Sequence, residues 1–198
     1  MKLSNATEIV LHQNAEWSRM MTEESDRASL LRYGLTLMLI AYALLFVLTA
    51  LFWMAIGSVV PFSALHAVMA VGVQCALSVA SLYFVPQILA TLAPSFGGKN
   101  DSLNALKLFV FAGTPAWLGT AIGIVPIVGW LLALAGAIFA IYLFWQHVAE
   151  AMSIPADKKI GYVVVGILIL AVVSIVIGMI GNGIANAIAP YPVYHIGY

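Results

Sequence analysis

Gln74, Ser78 and Ser81 fall at intervals of four and three residues inside a long apolar stretch, and that interval puts side chains on one face of a helix. An amide and two hydroxyls in such surroundings do one of two things. They bond to neighbouring helices, at about 0.6 kcal/mol per contact on average, or they line a path for an ion or small solute. Thr114, Thr120, Ser174 and Asn182 stand in later apolar stretches and extend the set to one polar seam between helices. Charged residues within a span commonly mark ion or proton routes, and none lies at mid-span here. This argues against transport driven by an intramembrane carboxylate. Interhelical bonding is the plainer reading of the seam.

His147 and Glu150 are the strongest metal-ligand candidates, because an i, i+3 spacing can place two ligands on one helix face. Two donors are only half of a tetrahedral set. A histidine near a helix C-terminus also suits the helix dipole, and Glu150 is within reach of Lys158 or Lys159 across a short linker. The sequence therefore predicts no metal site. His66 and His195 are both expected near the opposite surface, without a carboxylate or thiolate to complete a site. No Gly-x-Ser-x-Gly motif occurs, and Gly97-Gly98-Lys99 lacks the glycine spacing and trailing hydroxyl of a phosphate loop, so it reads as a turn. Cys75 is the single cysteine, which excludes an intrachain disulfide and suggests a small packing residue. No cofactor is expected, and the chain reads as non-enzymatic.

The elements that must position these residues are spans. Apolar residues make up 63% of the chain and charged residues 8%, against roughly 45–50% and about 25% in soluble domains. Five apolar stretches, at about 33–56, 64–92, 108–125, 127–145 and 160–188, predict an all-α, polytopic, five-transmembrane-helix bundle. Residues 1–32 form a cytoplasmic N-terminal segment and residues 33–198 the membrane domain. Lys2, Arg19, Arg27 and Arg32 precede the first span, Lys99 and Lys107 lie between the second and third, and Lys158 and Lys159 between the fourth and fifth. The three alternate segments have no Lys or Arg. Short basic segments stay in the cytoplasm, so the N-terminus is inside and the C-terminus outside. The acids follow the bases to the same side. A net charge of +0 leaves no nucleic-acid footprint. The first span reads as an uncleaved anchor, because about thirty polar or amphipathic residues precede it.

Local chemistry refines the spans. Val10, Trp17 and Met21 share a helical spacing, which suggests an amphipathic helix on the inner leaflet with Trp17 as interfacial anchor. Thr22-Glu23-Glu24 looks like a helix start that runs on through Arg32. Pro86 should bend the overlong second span, and Pro115 should kink the third. Asp101 or Ser102 caps the third helix. A tight hairpin at Pro126 joins the third and fourth helices. Gly119 and Gly123 on one side and Gly129, Ala133 and Ala137 on the other let those backbones approach closely. Pro155 should sit near the first turn of the last helix. Along that helix Ser174, Gly178, Asn182 and Asn186 form a stripe at four-residue intervals, and its tyrosine-bearing tail suits the outer interface.

Several of these features occur together in one known arrangement. Trp17, Glu23 and Glu24 precede an anchor helix. The Gly97-Gly98 loop follows, then Ala112-Gly113-Thr114-Pro115, the Ile124-Val125-Pro126-Ile127-Val128-Gly129-Trp130 hairpin and the Pro155–Lys159 linker. In this order the chain resembles the bacterial branch of the Yip family, the Ypt/Rab-GTPase-interacting-protein domain, from about Trp17 to Ile188. The resemblance implies five transmembrane helices with a cytoplasmic N-terminus. Eukaryotic members take part in vesicle traffic and carry a longer N-terminal region, so binding of a Rab-type GTPase is not expected here.

The expected function is a membrane scaffold in a bacterial cytoplasmic (inner) membrane. It would contact the lipid bilayer and a membrane-protein partner, or assemble as a homo-oligomer, with no nucleic acid involved. The alternative is a small transporter or channel that uses the polar seam.

Overall fold

The computed structural model describes Trp17 and residues 26–56, 64–122 and 128–190. Five long helices follow one another: α1 (Arg27–Ile56), α2 (Ala64–Leu92), α3 (Ser102–Ala121), α4 (Val128–Met152) and α5 (Lys159–Ile188), with one 3-10 turn at Ala93–Phe96. No strand occurs among the described residues, as the all-α expectation requires.

Four helices, α1, α2, α4 and α5, are long and apolar enough to cross a membrane. The exception, α3, is the one the others cover. It packs most extensively on α4, and also on α1 and α2, while α5 leans on α2 and scarcely touches α4. The large apolar side chains that α3 exposes are only Leu103 and Leu118, whereas α5 shows a row from Ile160 to Ile188. A helix screened from lipid by its neighbours need not be apolar all round. Asn104, Lys107, Thr114 and Thr120 are tolerated in α3 for that reason.

The helix ends follow local chemistry. α2 has the expected bounds, and α5 begins one residue before its expected start. Asp101 caps α3 as expected, its Oδ1 accepting from the backbone N–H groups of Leu103 and Asn104, both at 3.0 Å. Two expectations are corrected. α1 does not run in from Thr22, because Asp26 is non-helical and its carbonyl accepts from the Ser29 N–H at 3.0 Å and the Ser29 hydroxyl at 2.7 Å. Pro155 is not in the first turn of α5. It opens a separate turn, closed by the Lys158 N–H on the Pro155 carbonyl at 3.1 Å, and the helix starts only at Lys159. α2 and α3 remain continuous through Pro86 and Pro115. The hairpin at Pro126 lies outside the described residues, as do Gly123, His195 and Thr22–Glu24.

The core sits at one end of the bundle. It joins Leu30 and Tyr33 of α1, Leu89 of α2, Phe111 of α3, Phe144 and Val148 of α4 and Tyr162 of α5. Arg27, Arg32, Lys99, Lys158 and Lys159 belong to the same end, in the first turns and the loops that close it. Outside this cluster, the buried apolar residues among those described are Ala41, Ala121, Ala185 and Ala189.

Trp17 belongs to the core rather than to a lipid interface, which corrects the anchoring role. It is 1% exposed. Its ring stacks on His147 with centroids 3.8 Å apart and planes at 13°, and meets Phe111 edge-on at 5.9 Å. An indole offers more apolar area than any other side chain, so a seat between two rings competes well with the interface.

The Gly97-Gly98 turn seals the same end. Gly97 has φ 78°, the left-handed region that ends the 3-10 turn. At Gly98 a Cβ would collide with the end of Ile154 and lie 2.6 Å from the Met152 carbonyl oxygen. That carbonyl instead accepts from the Lys99 N–H at 2.9 Å, which ties the loop to the end of α4.

Candidate functional site

Five of the seven residues expected in the seam, Gln74, Ser78, Ser81, Thr120 and Ser174, line one cavity of about 450 Å³. All five helices supply its walls, including Tyr42 of α1, Trp117 of α3, Ile141 of α4 and Gly178 of α5. The volume is in the range of small-molecule sites, roughly 300–1,000 Å³. The cavity abuts the sealed core at Val85 and Phe144 and extends towards the other end of the bundle. Its open side lies between α4 and α5, which make little contact. Ile141 on one rim and Ala171 and Ser174 on the other both line the cavity and face outward.

The remaining two seam residues stand elsewhere. Thr114 is fully buried, donates to the Val110 carbonyl at 2.9 Å and lies 3.4 Å from the Tyr33 hydroxyl. Asn182 is exposed on α5, and its amide nitrogen donates to the Gly178 carbonyl one turn back at 2.9 Å.

Most polar groups in the cavity wall are already used. The Ser81 hydroxyl donates to the Ser78 carbonyl at 2.6 Å, Thr120 to Ala116 at 2.9 Å and Ser174 to Leu170 at 2.8 Å. Such back-bonding to the helix's own carbonyls is the usual resting state of a hydroxyl in an apolar helix. Tyr42 and Ser78 share a hydrogen bond of 2.6 Å. Sequence reading missed Tyr42, because the first span is rich in Leu and aromatics and almost free of polar groups, the composition of a lipid-facing helix. Its phenol among the apolar residues Leu37–Leu45 was the available signal.

The small residues do two different jobs. Gly119 takes the α4 backbone against itself, with a Cβ there falling 2.9 Å from the Leu132 carbonyl and 3.0 Å from the Ala133 Cα. Gly136, which sequence reading did not single out, faces the Pro115 carbonyl so closely that any Cβ would overlap it. Gly129 is buried at the start of α4. Gly119 and Gly136 are consumed by the α3–α4 contact inside the molecule. Gly178 is the opposite case, with nothing within 4 Å of a Cβ built there.

His147 and Glu150 do not converge. His147 is buried under Trp17, while Glu150 is exposed and makes no ion pair among the described residues. Lys159, one of its expected partners, lies instead over the Trp145 ring, 5.0 Å from the centroid. His66 is buried at the far end, its Nδ1 2.8 Å from the Ala189 carbonyl, and so latches α2 to the end of α5. No group of three metal-ligating side chains occurs among the described residues.

The family model for the Yip1 domain matches residues 7–178 of this chain. No curated protein and no solved structure matches it.

Proposed function

From the premise that the chain belongs to the Yip1-domain family and is a multi-pass integral membrane protein, we propose that it is a non-enzymatic scaffold that associates with another membrane protein or with its own copies. The observation that carries this reading is the outer half of α5. Asn182, Gly183 and Asn186 are all exposed there, and a Cβ at Gly183 would meet nothing within 4 Å. Lipid offers a carboxamide no partner. Transmembrane helices associate through small residues that allow close approach and amides that bond across the contact. The α5 surface combines both, and apart from the Asn182 bond to Gly178 of the same helix it makes no side-chain hydrogen bond among the described residues. The proposed setting is a bacterial cytoplasmic (inner) membrane, with the basic end of the bundle inside and the C-terminus outside. Binding of a Rab-type GTPase is not part of the proposal.

The test is native mass spectrometry of the protein released from its own membrane lipids, beside Gly183→Leu and Asn186→Leu. A discrete oligomer or a co-purifying membrane protein, lost in both variants, is the expected result. A wild-type monomer without any partner would overturn it.

The cavity favours a second reading, a transporter or channel for an ion or small solute. Its support is the gathering of Gln74, Ser78, Ser81, Thr120 and Ser174 around one space. Flux in proteoliposomes that Gln74→Leu abolishes would establish it over the scaffold.

A further inference from the structure

We propose that the five-helix cavity is a binding site for an uncharged long-chain lipid, an alcohol or ester, whose chain enters between α4 and α5 and whose oxygen is held by Gln74. Three observations carry this beyond the scaffold reading.

The first is the hydrogen-bond inventory. Ser81, Thr120 and Ser174 donate to their own helices, and Tyr42 and Ser78 satisfy one another. Gln74 is the one amide in the wall, and it makes no hydrogen bond among the described residues. A carboxamide offers two donors and an acceptor, so it can serve a hydroxyl or an ester carbonyl equally. Its place is fixed from behind by Gly181, where a Cβ would lie 2.5 Å from the Gln74 Cγ. Only glycine lets α5 close on the Gln74 stem in this way.

The second is charge. The described lining residues include no Lys, Arg, His, Asp or Glu. A carboxylate or phosphate drawn inside would be desolvated and unpaired, so the site selects against ionised heads. The rest of the wall is alanine, glycine, aliphatic and aromatic surface, such as Ala116, Ala137, Ala140 and Trp117. Apolar walls of this kind accept hydrocarbon and do not hold water.

The third is the mouth. The α4–α5 gap opens sideways, where Ile141 is 43% exposed and also lines the cavity. A ligand arriving there comes from the bilayer, not from either aqueous face.

The experiment uses the full chain in phospholipid nanodiscs and a long-chain alcohol carrying a diazirine. Saturable photolabelling within α3, α4 or α5 is expected, displaced by unlabelled alcohol and not by the matching fatty-acid anion. Gly178→Leu, whose added chain has open space at the cavity wall, is expected to lower that labelling about tenfold, and Gln74→Leu by a similar factor for the loss of one hydrogen bond. Unchanged melting of each variant shows that the fold is kept. Ala171→Phe replaces Gly178→Leu if the latter fails that check. Labelling that does not saturate, that survives Gly178→Leu and Gln74→Leu, or that the anion displaces equally would overturn the proposal. So would rapid modification of Ala140→Cys, in a Cys75→Ser background, by a membrane-impermeant thiol reagent, because that result means a water-filled path.

Discussion

The two ends of this bundle are built differently. At the basic end Trp17, Phe111, Phe144 and Tyr162 interlock through ring contacts, and the loops are tied down by Gly98 and by the Lys99 N–H on the Met152 carbonyl. Towards the other end the buried apolar residues among those described are alanines, α4 and α5 stand apart beside a cavity, and Gly178 and Gly183 face open space. The difference follows from the surroundings. Within a bilayer, removing an apolar side chain from lipid gains little, since lipid tails are as apolar as leucine. Near water the same burial is strongly favourable. The chain therefore buries most of its large side chains at the basic end and leaves the buried apolar positions outside that cluster to alanine.

That contrast can be broken by substitution. Trp17→Ala should be the most damaging change, at about 3–5 kcal/mol for a buried large aromatic. Loss of about 10 °C in melting temperature, read in detergent or nanodiscs, is the expected scale for a chain of this size. A variant that melts with the wild type would show that the ring does not close this end. Gly98→Ala comes next, at about 1–3 kcal/mol, because the new methyl must displace a backbone carbonyl and the Ile154 side chain. Tyr162→Phe should cost about 1 kcal/mol, the worth of its hydroxyl's bond to the Leu89 carbonyl, which measures 2.8 Å. Gly178→Leu should change stability by less than about 0.5 kcal/mol. A loss there as large as that of Gly98→Ala would mean that both ends are packed alike.

Much of the fold was legible from the chain. Long uninterrupted apolar runs marked α2 and α5 almost to the residue, and the alternation of basic segments predicted that Arg27, Lys99 and Lys158 would share one end. The central position of α3 was not legible. Hydropathy counts a helix's own residues, whereas burial depends on which neighbours cover it. The seam was partly legible, since the helical period brought Gln74, Ser78 and Ser81 to one face and all three line the cavity. Period alone did not say that Thr114 turns to Tyr33 or that Asn182 turns outward. The same limit applies to His147 and Glu150. Residues three apart are offset around the helix by enough for one to be buried and the other exposed. Trp17 was misplaced because its partners, Phe111 and His147, are remote in sequence, and spacing carries no information at that range.

The seat of Trp17 has a consequence for the order of assembly. A residue near the start of this sequence rests on one ring from α3 and another from the last turns of α4. While the chain is being made and inserted, the indole has nowhere to dock until four helices are in the membrane. A contact between residues so far apart carries the largest loop-closure entropy and forms late. Trp17 thus precedes all five helices in the chain and is among the last residues to settle, so its stacking on His147 marks a bundle whose first four helices are in place.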